Sequence, residues 1–260
     1  MRSRRASTLL RRLRGRDGSP PVSSGAREND LTGVPEQDRR IVERATPHTM
    51  TGPARLLALI DAVRYCVHRD IPGSFGECGV WRGGSVLAMT LTLLDMGLAD
   101  RDIYLYDTFE GMTAPTEHDI SPIDPPALET WNAARRRGER AWNGIFSPAV
   151  FDEQGVRATL ASTGYPQDRL HFVRGPVEET LPENAPEQLA LLRLDTDWYE
   201  STRHELRHLY PLLSDGGVLI IDDYGHWEGA RRAVDEHFAT VAPPLLLNRI
   251  DYTGRIAIKH

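Results

Sequence analysis

Two pairs of aspartates stand at positions where they could do chemistry. Asp195 and Asp197 flank one residue in Leu194-Asp195-Thr196-Asp197-Trp198-Tyr199, and Asp222-Asp223 close the apolar run Val218-Leu219-Ile220-Ile221. If both runs are neighbouring strands, their ends bring four carboxylates close together. Like charges at short range raise one another's pKa, and a cation relieves the repulsion. Mg2+ is suited to such oxygens, because it takes a few carboxylates and leaves positions open for substrate. A glycine-rich turn, Glu77-Cys78-Gly79-Val80-Trp81-Arg82-Gly83-Gly84-Ser85, supplies a second element. Glycines let a ligand approach the backbone, and a helix that follows points its free N–H groups at it. Taken alone, the turn also fits a tight bend that binds nothing. Asp107 lies 23 residues beyond Gly84 and ends Ile103-Tyr104-Leu105-Tyr106-Asp107. A carboxylate there can accept both hydroxyls of a ribose, although singly it also fits a turn cap. Together the two features favour a nucleoside site. The glycines depart from the GxGxxG dinucleotide fingerprint, in which the third would follow two residues after the second.

Residues at such positions need strands to carry them. Leu56, Leu57, Ile60, Val63 and Val67 recur at helical spacing and predict a helix over 53–69. Strands are predicted over 74–80, 102–107, 169–174, 189–195 and 217–222, and helices over 86–96, 149–162, 199–213 and 227–239. Residues 108–147, with their prolines and two tryptophans, break the rhythm and read as an insertion or lid. Strands at 245–250 and 255–259 around Tyr252-Thr253-Gly254 predict a closing hairpin. Alternating strands and helices build a mostly parallel sheet covered on both faces, an α/β fold. Ligands of such sheets sit outside the carboxyl ends of the strands, where all the acids above fall.

Composition bounds the rest. The chain has 260 residues, 40% hydrophobic and 26% charged, as in ordinary globular proteins. It contains no apolar run of 18 residues, so no membrane span is expected. Residues 1–16 carry seven arginines and no acid, so the remainder is more acidic than the net charge of −6 suggests. That balance disfavours nucleic acid as a partner. Arg4-Arg5 is followed by at most five apolar residues, too few for a secretion signal, so a cytoplasmic location is expected. Cys66 and Cys78 form no CxxC motif and read as buried small hydrophobes in a reducing compartment. Residues 15–46 are rich in Gly, Ser, Pro and charge. Residues 1–46 are therefore expected to be a mobile extension, and 47–260 one domain.

The matching stretches resemble the macrocin O-methyltransferase (TylF-type) family. They are His48-Thr49-Met50-Thr51 with Ala54-Arg55-Leu56, FGECGVWRGGS at 75–85, and LYDTFEGM at 105–112. FVRGPVEETLP at 172–182, LRLDTDWYEST at 192–202 and GGVLIIDDYGHWEGARRAVDEHF at 216–238 complete them. The likeness covers about 47–260 and does not extend to the basic extension. It implies a Rossmann-like methyltransferase fold with a seven-stranded sheet. It also implies an S-adenosylmethionine- and Mg2+-dependent transfer to a sugar hydroxyl of a glycosylated natural product. Carried over by position, Asp195, Asp222 and Asp223 are the expected metal ligands and Asp197 the general base. Asp107 is the expected ribose ligand, and Glu77, Gly79 and Ser85 the methionine end of the cofactor site. Gly175, Pro176 and Val177 fall at the adenine side, and Thr49 and Met50 in a segment that covers the cofactor. The family implies a homo-oligomer, with a dimer as the default.

For the acceptor, the residues themselves suggest His118 and Trp131 in the lid, Trp198 and Tyr199 after the first aspartate pair, and His226 after the second. Each also has a structural reading, as a surface or core side chain. Two other activities fit the layout. An NAD-dependent oxidoreductase is opposed by the departed glycine pattern and by the absence of a Tyr-x-x-x-Lys pair. A catechol-type methyltransferase usually carries a lysine base, whereas the only lysine here is Lys259, next to the C-terminus.

Overall fold

The computed structural model describes residues 31–240 and 244–260. Its centre is a seven-stranded sheet: β1 (Ser74–Cys78), β2 (Ile103–Asp107), β3 (Leu170–Arg174), β4 (Leu189–Leu194), β5 (Leu213–Ile221), β6 (Asn248–Arg249) and β7 (Arg255–Ile258). The spatial order is β3-β2-β1-β4-β5-β7-β6. The first five are parallel, and β7 runs antiparallel to both β5 and β6. The helices are α1 (Glu36–Ala45), α2 (Pro53–His68), α3 (Gly84–Asp95), α4 (Ala127–Arg136), α5 (Glu153–Ala161), α6 (Val177–Thr180), α7 (Tyr199–His208) and α8 (Glu228–Phe238). All six residues of β4 are buried, which is why Leu189–Leu194 is one apolar run interrupted only by Arg193. Strands buried on both faces read this way in parallel sheets.

Two core clusters flank the sheet. One holds Leu56, Ile60 and Val63 of α2, Val86 and Met89 of α3, and Phe75 of β1. The other holds Leu206 of α7, Val234 of α8, and Leu192 and Leu219 from β4 and β5. The chain reverses where strands 1 and 4 part in order, so β1 and β4 end side by side with Cys78 paired to Leu194. This is the crevice where open α/β sheets bind ligands.

Several boundaries move for local reasons. Asp152 accepts a hydrogen bond from the Gly155 N–H at 2.7 Å, so the helix expected from 149 begins at Glu153. Pro211 has no N–H to continue α7, which ends at His208 before a short 3-10 turn. The closing hairpin is shorter than expected, with only two residues in β6. The insertion 108–147 contains α4, whose Ala127 and Ala134 are buried.

One expectation is corrected. Residues 36–45, placed in a mobile extension, form α1. Its Ile41, Val42 and Ala45 belong to the main core, and the Asp38 carboxylate accepts from Arg64 at 2.9 Å. The Gly, Ser and Pro content of the preceding residues masked a short amphipathic pattern. The expectation for residues 1–30 lies outside the described residues. Among the described residues, no helix is long and apolar enough to cross a membrane. Cys66 and Cys78 are buried free thiols, as expected.

Candidate functional site

The ends of β1, β2, β4 and β5 open into one cavity of about 240 Å³. Every residue expected to hold the cofactor lines it: Thr49, Met50, Glu77, Gly79, Ser85, Asp107, Gly175, Pro176 and Val177. Asp195, Asp197, Asp222 and Asp223 line it as well. Leu194 pairs with Ile221 in the sheet, so the two aspartate pairs emerge side by side. Carboxylate oxygens of Asp195, Asp222 and Asp223 lie within 4.8 Å of one another.

The glycine turn is built for chain packing as much as for a ligand. A Cβ on Gly79, where φ is +84°, would stand 1.9 Å from the Asp195 carbonyl oxygen. Gly84 is closed in the same way by Thr49 and His48, at 2.6 and 2.7 Å. Asp107 serves this turn too. Its Oδ2 accepts from the Val80 and Trp81 N–H groups at 2.8 and 2.9 Å, and its Oδ1 from Phe109 N–H at 2.7 Å. A carboxylate has about four lone-pair sites, so acceptor capacity remains for hydroxyls.

The counter-charges were missed from sequence. Arg193 is 1% exposed and neighbours Glu77 across β1 and β4. Its guanidinium pairs with Glu77, with Asp195 at 2.8 Å and with Asp222 at 2.5 Å, and donates to Thr51 Oγ1 at 2.8 Å. Arg55 pairs with Asp222, and its Nε lies 3.0 Å from Asp251 without hydrogen-bond alignment. The repulsion expected to call for a cation is thus partly met by two arginines. A signal existed: an arginine inside a fully buried strand must find carboxylates.

Three features remain open to a ligand. Glu77 Oε2 is buried on the cavity wall with no hydrogen-bond partner among the described residues. Asp223, 9% exposed, has a carboxylate with no partner among the described residues. Asp195 keeps Oδ1 free while Oδ2 faces Arg193. An orphaned buried carboxylate oxygen suits an ammonium, and clustered hard oxygens suit a small divalent cation.

The field of the cluster shows in its acidities. Burial pushes Asp195 up to about 6, against the pull of Arg193 and with a further push from Asp222. Burial pushes Asp197 up to about 8, Asp195 adds to the rise, and the Trp227 indole N–H draws it back. Asp223 is raised by burial first and then by Asp197, Asp195 and Asp222.

The acceptor residues divide. His226 lines the cavity, with Nε2 2.9 Å from Asp124 of the insertion and Nδ1 3.1 Å from the Tyr252 hydroxyl. Burial lowers its pKa, and Asp124 opposes that shift. His118, Trp131, Trp198 and Tyr199, expected to meet the acceptor, do not line this cavity. Trp198 is 3% exposed and packs with Ala127, Trp227 and Ala230, while its indole N–H donates to Thr113 O at 3.1 Å. The Tyr199 hydroxyl donates to Glu236 at 2.7 Å. His118 lies edge-on to the Tyr199 ring at 4.8 Å, and Trp131 lies 6.4 Å from Trp142. A forty-residue insertion needs a core of its own, and its aromatics supply it. Residues not foreseen include Met112, Thr113 and Tyr252 on the cavity wall, and Asp119 of the insertion. Asp119 is fully buried and accepts from Tyr199 N–H at 2.7 Å, capping α7 from within the insertion.

The sheet order and the cavity at its carboxyl edge define a Rossmann-like methyltransferase. The profile of the macrocin O-methyltransferase (TylF) family matches residues 26–257, and the chain belongs to that family. It is 36% identical over 229 residues to the 8-demethyl-8-(2,3-dimethoxy-alpha-L-rhamnosyl)-tetracenomycin-C 4'-O-methyltransferase of Streptomyces olivaceus, covering 85% of this chain and 80% of that one. It is 33% identical to demethyldecarbamoylnovobiocin O-methyltransferase of Streptomyces niveus, covering 75% and 69%. The solved structure of the O-methyltransferase NovP superposes with a TM-score of 0.69 at 32% identity, covering 82% of each chain. The chain is an O-methyltransferase, and its relatives point to the tailoring of antibiotics.

Proposed function

We propose that this enzyme transfers the methyl group of S-adenosylmethionine to a sugar hydroxyl of a glycosylated natural product, with Mg2+ held by Asp195, Asp222 and Asp223. The observation that carries the reading is one cavity with an unpartnered Glu77 oxygen on its wall and four aspartates around it. When bound, S-adenosylmethionine supplies an electrophilic methyl on a sulfonium, and Mg2+ lowers the pKa of a hydroxyl it meets. Glu77 Oε2 receives the ammonium of the methionine end. Asp107 accepts the ribose hydroxyls, and Met50, 55% exposed at the rim, covers the cofactor. Asp197 faces the acceptor with Oδ2, because among the described residues only Oδ1 has a partner. Asp197 would take the proton of the acceptor hydroxyl and later pass it to solvent; the cofactor, when bound, would supply the methyl group to that oxygen and leave as a neutral thioether. A base whose pKa lies near the working pH suits this step. A tetracenomycin rhamnosyl 4'-O-methyltransferase among the relatives supports a sugar acceptor.

Lys259 supports an aspartate base over a lysine. Its ammonium donates to the carbonyls of Tyr210, Pro211 and Leu213 at 3.1, 3.2 and 2.5 Å, and it does not line the cavity. The testing experiment is calorimetric titration with S-adenosylhomocysteine, with and without Mg2+, and with NAD as control. Homocysteine-product binding without NAD binding is expected; NAD binding alone would overturn the reading. Asp197→Asn should cut methyl transfer to a glycosylated acceptor by about a hundredfold or more while product binding persists.

A further inference from the structure

Asp197 is an awkward residue to hold. Its φ is +67°, in the left-handed region that non-glycine residues enter at a cost. Its carboxylate faces Asp195, Asp222 and Asp223, all of which repel it. Among the described residues no arginine pairs with it: Arg193 and Arg55 pair with Glu77, Asp195, Asp222 and Asp251. Among the described residues its one hydrogen-bond partner is the indole N–H of Trp227, 2.8 Å from Oδ1. An indole N–H is a donor only, so it can orient a carboxylate without taking its proton. It also carries no net charge, so Oδ2 keeps its affinity for a proton.

The indole itself is held. Trp227 is 8% exposed, and its ring meets Trp198 edge-on at 5.0 Å. Trp198 lies 5.7 Å from Trp142 of the insertion, and Trp142 lies 6.4 Å from Trp131. The Glu228 N–H, next to Trp227, donates to Ile120 O of the insertion at 2.9 Å. Trp142 of the insertion thus packs against the cluster of Trp198 and Trp227 that holds the indole.

We propose that Trp227 is a positioning residue, whose N–H holds Oδ1 of Asp197 so that Oδ2 meets the acceptor hydroxyl. The proposal rests on Asp197 as the base. Trp227→Phe keeps most of the ring contact with Trp198 and deletes the donor. Its kcat should fall about tenfold or more, because a base that is misdirected loses most of its orientation advantage. The acceptor KM and the affinity for S-adenosylhomocysteine should stay within about twofold, since Trp227 does not line the cavity. Tyr210→Phe, a ring-conserving control that packs with Phe238 and does not line the cavity, should keep kcat within about twofold. In an Asp197→Asn background, Trp227→Phe should reduce the residual rate no further. An unchanged kcat in Trp227→Phe, or an equal further loss in the Asp197→Asn background, overturns the proposal. Normal turnover by Asp197→Asn overturns the base itself and the proposal with it; an inactive Asp197→Asn beside a normal Trp227→Phe sinks the positioning role alone. If Trp227→Phe does not fold, ultraviolet resonance Raman of Asp197→Ala decides. Loss of one indole hydrogen bond relative to wild type supports the proposal, and an unchanged indole spectrum refutes it.

Discussion

Replacing Arg193 by methionine should strongly destabilise the folded state. The guanidinium stands against three carboxylates, Glu77, Asp195 and Asp222, and is 1% exposed. At an effective dielectric of about 20, each pair at about 4 Å is worth roughly 4 kcal/mol before desolvation. Desolvation offsets most of that, and removing one partner of a buried ion pair costs about 3–5 kcal/mol, because the other charge stays buried. Methionine fills much of the volume, so little of the loss would come from a cavity. For a protein of this size that corresponds to a fall in Tm of roughly 6–20 °C. The assay is denaturant unfolding at pH 7 with a chelator present. Burial already pushes Asp195 up to about 6, so lowering the pH lets the stranded acids protonate. The gap between variant and wild type should therefore narrow toward pH 5. Adding Glu77→Gln should recover part of the loss, since it removes one of the stranded charges. A cost below about 1 kcal/mol at pH 7 would refute the buried network as the site's internal counter-charge.

Three other outcomes are expected. Asp197 has its carboxyl raised by burial from 3.8 to about 8, so its stabilising, protonated form is fully present below 3.8 and lost as pH rises through about 8. In chelator, Asp197→Asn should gain stability relative to wild type between about pH 5 and 8.5, and parallel melting curves across that range would contradict the shift. Gly79→Ala should cost about 3 kcal/mol or more, or give insoluble protein, because its Cβ would stand 1.9 Å from the Asp195 carbonyl oxygen; wild-type stability would mean the turn can move. Ile41→Ala should cost about 2–4 kcal/mol in denaturant unfolding, as Ile41 is 6% exposed in the main core. No change there would restore residues 36–45 to a mobile extension.

Much of the frame was legible in the chain. Apolar runs of five or six residues alternating with helical spacing specify a covered parallel sheet, and the sheet's geometry puts residues after each strand in one crevice. That is why Asp107, Asp195, Asp222 and Asp223 could be placed together from sequence, and all line the cavity. Helix α1 escaped because its pattern is short and follows a stretch poor in apolar residues. The insertion escaped because aromatics in a loop read equally as ligand contacts or as a local core.

The sequence by itself determined the sheet, the glycine turn and which acids would meet at the strand ends. These follow from local periodicity, and from the rule that strands end where their side chains stop being covered. The tertiary structure alone decided what balances those acids. Arg55 reaches Asp222 across 167 residues, Arg193 reaches Glu77 across 116, and Trp227, just before α8, reaches Asp197 across 30. Periodicity reports whether a side chain is covered and not by what. A charge or an indole N–H acts over a few ångströms, so its partner is set only when distant segments pack.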